Sequence, residues 1–170
     1  MKRHFLMMAR YNEWANGRLY EAAADLSDEE FRRDVGAVFR SMQGTLNHLL
    51  AADRIWMKRF TGEGEAPASL DAILHPVLPA LRMAREAEDK RITTWIEGAS
   101  EEKLAGRFSY MTVTDMRTIS QNLAPALHHV FNHQTHHRGQ AHMILTVLGR
   151  PSVPLDLIYF QRTDEGRAFA

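Results

Sequence analysis

The sequence predicts an all-α fold, a four-helix bundle with a small β-hairpin inserted before the last long helix. Three observations support this prediction. Four stretches of bundle length carry apolar residues at helical spacing, the segments between them contain helix breakers, and one segment alternates with the period of a strand. With 170 residues, of which 45% are hydrophobic, the chain suits a single domain over residues 1–170 with one sizeable core.

The first helix is predicted over residues 4–25, where apolar side chains recur at spacings of three and four. Ser27 and Glu30 then have the spacing of a capping box and predict a short helical turn after it. Asn12 and Asn16 lie within the first helix. We expect both on the surface, because asparagine is mostly exposed in folded proteins, and the alternative places one of them in a pocket.

Ser41 is the predicted N-cap of a second helix that runs to about Phe60. His48 lies eight residues before Trp56 on the apolar stripe of this helix, so its ring is expected near the core. A buried imidazole needs a polar partner, and a metal ion would satisfy it. Asp53 lies roughly 140° further round the helix than His48, so we expect it to form a pair elsewhere.

A third helix is predicted over residues 70–98, irregular near its prolines and regular after them. Its charged run over residues 82–91 is predicted to be a solvated face rather than a binding patch.

Apolar and polar residues alternate over residues 107–120, which also contain β-branched and aromatic side chains. This pattern predicts a two-stranded hairpin that turns at Thr114-Asp115. Such a hairpin must pack on the helices, where it could cover a site.

The fourth helix is predicted over residues 122–148, and five of the nine histidines fall within ten consecutive positions of it. His129, His133 and His137 follow one another at i, i+4 and i+8 and therefore project from one face. Rings four residues apart are close enough to hold one metal ion. The alternative for such a cluster, taken alone, is a solvated polar face. His48 becomes a candidate third ligand when the two segments are considered together.

The two histidine-bearing segments together resemble the DinB family, the DinB/YfiT-like group of metalloenzymes. The resemblance is carried by T-L-N-H-L-L-A-A-D-R-I-W at residues 45–56 and by H-x-x-x-H-R-G-Q at residues 133–140. Y-N-E-W-A-N at residues 11–16 and L-I-Y-F at residues 157–160 look like the proteobacterial branch of that family. The resemblance covers nearly the whole chain and implies the same bundle fold.

By position in these motifs, the resemblance implies that His48, His133 and His137 are the three metal ligands. His129 and Gln140 are candidates to hold those imidazoles in place, and no catalytic residue is assigned. Three histidines leave at least one coordination position for water or substrate, which is typical of a catalytic site. Zinc and nickel both suit imidazole ligands, and the sequence does not choose between them.

The resemblance also implies a function, because the wider superfamily includes thiol-dependent transferases and isomerases that use bacillithiol or mycothiol. The expected protein is a metal-dependent S-transferase that acts on a small molecule with a low-molecular-weight thiol. The chain has no cysteine, so the thiol would come from the cosubstrate. A metal-dependent hydrolase and a non-catalytic metal-binding stress-response protein stay open as alternatives. A homodimer is expected by analogy with the family.

Composition excludes several other functions. Lys and Arg total 21 and Asp and Glu total 21, so the formal net charge is zero and the chain has no overall field that would attract nucleic acid. The family's name refers to induction by DNA damage, which describes expression and not a DNA-binding surface. No apolar run reaches the 18 or so residues of a membrane span, and no signal-length run is present, so we expect no membrane partner and a cytoplasmic location.

Overall fold

The computed structural model describes residues 1–112 and 116–170, and it confirms the predicted fold class: a mostly helical fold with a two-stranded antiparallel hairpin before the last long helix. The elements follow in the order α1 (Lys2–Ala24), α2 (Asp28–Arg32), α3 (Met42–Thr61), α4 (Leu78–Gly98), α5 (Glu101–Ala105), β1 (Arg107–Met111), β2 (Thr118–Asn122), α6 (Leu123–Val147), α7 (Leu157–Phe160) and a 3-10 helix (Gly166–Phe169).

The four long helices pack as a bundle, with α1 against α4 and α6 and with α3 against the same two helices. Side chains at the helix ends explain several of their bounds. Ser27 and Glu30 form both hydrogen bonds of the predicted capping box. The Ser41 hydroxyl accepts a hydrogen bond from the Gly44 N–H at the start of α3, and Gly62, which follows the last residue of α3, has a left-handed φ of 77°. None of the helices within the described ranges is long and apolar enough to cross a bilayer.

A buried polar layer crosses the bundle between two apolar clusters. One cluster contains Phe5 of α1 and Ile92 of α4, and the other contains Leu19 of α1 and Leu81 of α4. Each residue of the polar layer is at most 3% exposed. The layer consists of Asn12, Asn16, Asp53, Arg85, Asp89, Gln134 and Arg138. Each of the four long helices therefore turns a polar side chain inward at the same level.

The prediction that residues 82–91 form a solvated face is wrong for the inward side of α4. Arg85 lies between two carboxylates, with its Nη1 atom 2.8 Å from Oδ2 of Asp53 and its Nη2 atom 3.0 Å from Oδ1 of Asp89. Burial of an arginine is tolerated because opposite charges surround it. The expectation that Asp53 pairs away from the histidines is confirmed.

The prediction that Asn12 and Asn16 lie on the surface is also wrong. Both side-chain amides donate hydrogen bonds to the Asp89 carboxylate, at 3.2 Å from Asn12 and at 3.1 Å from Asn16. Their carbonyl oxygens accept hydrogen bonds from Nη1 of Arg138. The two asparagines thus connect a buried anion on α4 to a buried cation on α6.

The predicted third helix corresponds to α4, which begins at Leu78 and not at residue 70. Pro79 lies in its first turn, where a proline is tolerated. Residues before it form an irregular segment that lies along α3. The Asn47 side chain accepts a hydrogen bond from the His75 N–H at 2.9 Å and donates one to the His75 carbonyl at 3.1 Å. This segment brings the Leu70 carbonyl to α3, close to His48.

The hairpin pairs Arg107 with Asn122 and Met111 with Thr118, so β2 extends two residues beyond the predicted segment. The predicted turn at Thr114-Asp115 lies outside the described residues. Aromatic side chains of β1 face α3: the ring centroid of Tyr110 lies 6.2 Å from that of Trp56, and Phe108 lies 5.0 Å from Phe60. The hairpin is therefore packed on the bundle next to the helices that carry the histidines.

Candidate metal centre

The packing of α3 on α6 brings together His48, His133 and His137. One ligand nitrogen from each ring lies within 4.8 Å of the other two. The Nε2 atoms of His48 and His133 are 3.2 Å apart, and the His133 and His137 ring centroids are 4.3 Å apart. Residues separated by about 85 positions in the chain therefore share one site.

Hydrogen bonds fix which nitrogen of two of these rings carries the proton. The Nδ1 atom of His48 lies 2.8 Å from the Leu70 carbonyl oxygen, and the Nδ1 atom of His137 lies 2.7 Å from Oε1 of Gln140. Carbonyl oxygens only accept hydrogen bonds, so both Nδ1 atoms must be the donors. The Nε2 atoms of His48 and His137 are left with free lone pairs, as metal ligation requires.

The surroundings keep all three rings uncharged. Burial lowers the pKa of His48 and that of His137 below the ordinary histidine value. Burial and the neighbouring His137 and His48 lower the pKa of His133 to about 3. A charged imidazole would be poorly solvated in this position and would be repelled by its neighbours. The cluster is therefore neutral near pH 7, which is the state that binds metal ions.

The geometry fits a metal ion. Because the His48 Nε2 atom carries a lone pair, its 3.2 Å approach to the His133 Nε2 atom requires a proton or a cation between them. Two nitrogens of a tetrahedral zinc site, with zinc–nitrogen bonds of 2.0–2.1 Å, are about 3.3 Å apart. Within residues 1–112 and 116–170, no further histidine and no carboxylate joins the cluster. The three-histidine group could thus hold a divalent ion.

Phe39 covers one side of this site, and sequence analysis did not identify it. Its ring stacks on that of His48, with centroids 3.7 Å apart and an angle of 16° between the planes. The segment that carries Phe39 packs tightly on the first turn of α3, because a Cβ atom on Gly44 would lie only 2.0 Å from the Phe39 carbonyl oxygen. Gly44 therefore allows Phe39 to reach His48.

The two residues predicted to support the ligands lie in different environments. Gln140 makes the hydrogen bond to His137 described above. His129 is exposed, and its ring centroid lies 5.8 Å from that of His133 and 5.1 Å from that of Trp56. It lines an open cavity of about 600 Å³ that the hairpin also borders. The predicted role of the hairpin as a cover over the site stays a prediction, because His48, His133 and His137 do not line this cavity.

A helical bundle in which two helices bring three neutral histidines within 4.8 Å of one another fits the class of metal-binding bundles. A model of the DinB family matches residues 1–167, and the chain belongs to the DinB family. The chain is also 26% identical over 152 residues to Protein DinB of Bacillus subtilis (strain 168), with 86% of this chain and 87% of that protein covered. Placement in the proteobacterial branch stays a prediction.

Proposed function

We propose that His48, His133 and His137 hold one divalent metal ion and that the protein is a metal-dependent S-transferase, which joins a low-molecular-weight thiol to a small-molecule substrate. The observation that carries this proposal is the convergence of three neutral imidazoles, two of them with Nδ1 already bonded to a fixed acceptor. Zinc and nickel are the preferred ions, because both accept imidazole nitrogen and geometry decides between them.

The make-up of the cluster supports a catalytic site over a purely structural one. Structural zinc sites usually have four protein ligands, whereas the group among the described residues contains three histidines and no Asp or Glu. A bound divalent ion would lower the pKa of a coordinated thiol or water toward neutrality. The histidines hold the ion, and Phe39 shields His48 from water on one side.

The thiol version is preferred to the hydrolase because no general base accompanies the cluster in the described part of the chain. Since the chain has no cysteine, the thiol of the transferase would come from a cosubstrate. A hydrolase needs a general base beside the attacking water, and no carboxylate within the described ranges joins the three histidines. The hydrolase remains the second candidate, and a non-catalytic metal-binding stress-response protein is the third. The homodimer and the cytoplasmic location stay predictions.

A thiol titration of the cobalt-loaded protein tests the proposal. Cobalt(II) replaces zinc or nickel as a coloured probe, and coordination of a thiolate produces a sulfur-to-cobalt charge-transfer absorption. We expect addition of 2-mercaptoethanol to produce this band in the wild type and in His128→Ala, which removes an exposed histidine of the same helix. We expect His48→Ala to lack it.

Two results would argue against the thiol proposal. A cobalt-loaded wild type whose spectrum does not change with thiol, but which hydrolyses p-nitrophenyl acetate, would favour the hydrolase. A wild type that binds cobalt and responds to neither reagent would favour the non-catalytic protein.

A further inference from the structure

The cavity bordered by His129 and Trp56 adjoins the three-histidine cluster. His129 lies one turn before His133 on α6, and its ring contacts both His133 and Trp56. The other walls come from Pro125 and Ala126 at the start of α6 and from residues 120–122 of β2. With a volume of about 600 Å³, this cavity is large enough for a small organic molecule. His48, His133 and His137 do not line it, and His129 is the wall residue that contacts the cluster.

Arg107 provides a fixed positive charge in the wall of this cavity. Its guanidinium donates three hydrogen bonds, to the hydroxyl and the carbonyl of Ser120 and to the side-chain oxygen of Asn122. Asn122 is also the residue paired with Arg107 across the hairpin. These bonds hold the guanidinium in place, and each terminal nitrogen retains a further N–H to offer. Such a fork suits a carboxylate or a phosphate.

A second arginine adds to the positive field. The Arg59 guanidinium carbon lies between two aromatic rings, 4.6 Å from the Trp56 centroid and 4.5 Å from the Tyr110 centroid. Neither arginine forms an ion pair with a carboxylate in the part of the chain that the structure describes. Among the described residues, those that line the cavity include no Asp or Glu. Two uncompensated cations beside an uncharged metal-ligand cluster favour an anionic ligand.

We propose that this cavity binds a small organic anion, with the oxyanion on Arg107 and the apolar part on Trp56, Pro125 and Ala126. The inference rests on the proposed function in one respect, since it makes this anion the substrate presented to the metal centre. The apolar walls accommodate a flat or short hydrocarbon group. A carboxylate and a phosphate share the property that matters here, because each can accept two hydrogen bonds from one guanidinium.

The test is an NMR titration of the nitrogen-15-labelled protein with benzoate, phenyl phosphate and the neutral analogue benzamide. The indole N–H of Trp56, assigned with Trp56→Phe, reports binding, and the indoles of Trp14 and Trp95 are internal references. We expect benzoate or phenyl phosphate to shift the Trp56 signal, and whichever binds more tightly identifies the oxyanion. Benzamide is expected to bind more weakly.

Arg107→Gln is expected to lower the affinity for the anion by about tenfold or more, because the charged fork is lost. Arg82→Gln, which removes a half-buried arginine of α4 that is not part of the cavity wall, should leave the affinity unchanged. If Arg107→Gln disturbs the hairpin, Arg107→Lys replaces it in the test. A smaller loss of affinity for the anion is expected in this variant because the charge remains.

The titration is run on zinc-loaded and on metal-free protein, so that it does not depend on the metal proposal. Binding to metal-free protein that is lost in Arg107→Gln supports the anion site even if the metal centre proves wrong. Equal affinity of benzoate and benzamide, unchanged affinity in both Arg107 variants, or binding that needs zinc would each overturn the proposal.

Discussion

The Nδ1 atom of His137 donates a hydrogen bond of 2.7 Å to Oε1 of Gln140, one turn further along α6. The amide nitrogen of Gln140 lies 3.3 Å from Nε2 of His136, which supports this orientation of the amide group. Gln140 therefore holds the His137 ring with its Nε2 atom toward His48 and His133. An equivalent bond from His48 to the Leu70 carbonyl orients the second ring.

Gln140→Ala should weaken metal binding by about 10–100-fold, because the partners that orient metal-bound histidines typically have effects of this size. Competition between the protein and a fluorescent zinc chelator measures the change in affinity. Met143→Ala removes an exposed side chain of the same helix and serves as the control. An affinity that is the same in Gln140→Ala as in the control would show that His137 needs no such support.

Arg85→Met should lower the free energy of unfolding by about 3–5 kcal/mol, because it leaves the buried carboxylates of Asp53 and Asp89 without their cation. Urea unfolding followed by circular dichroism measures this loss. Arg82→Met changes an arginine of the same helix whose side chain is 41% exposed and pairs with Glu86, and it should cost less than about 1 kcal/mol. A similar cost for both variants would contradict the structural importance of the polar layer.

Glu30→Gln should reduce the dependence of stability on acid pH. The Ser27 N–H and the Arg150 side chain lower the pKa of Glu30, so folding favours the charged form. This stabilisation is fully present above the ordinary glutamate pKa of about 4.3 and is lost as the pH falls below it. The melting temperatures of wild type and Glu30→Gln should therefore differ at neutral pH and converge in acid.

The control for this experiment is Glu29→Gln, since Glu29 is an exposed glutamate on the same short helix with a longer ion-pair distance of 3.6 Å to Arg33. Its melting temperature should stay close to that of the wild type at every pH. A difference between wild type and Glu30→Gln that persists unchanged into acid would show that charge on Glu30 is not the cause.

The features that sequence analysis predicted correctly are local. Apolar periodicity placed the long helices, except for the start of α4, and the caps at Ser27 and Ser41 are present. The predicted fourth helix, residues 122–148, differs from α6 by one residue at each end. His133 and His137 lie one turn apart on one helix, so their proximity follows from helix geometry alone. Each of these features depends on residues within a few positions of one another.

The features that were missed depend on residues far apart in the chain. The sequence of a single helix does not reveal that Arg85 pairs with Asp53, or that Asn16 forms a hydrogen bond with Asp89. The polar character of these side chains therefore predicted positions exposed to solvent. The Leu70 carbonyl has no sequence signature, because any residue in that backbone position would present the same oxygen. Phe39 follows a break in the apolar pattern, and only the fold shows that it stacks on His48.

Metal content is the measurement that tests the central claim most directly. Untagged wild type, His48→Ala, His133→Ala and the control His128→Ala are purified alike and analysed by elemental mass spectrometry. We predict about one equivalent of divalent metal in the wild type and the control, and a loss of most of it in the other two variants. Equal metal content in all four proteins, or none in the wild type, would contradict a shared three-histidine site.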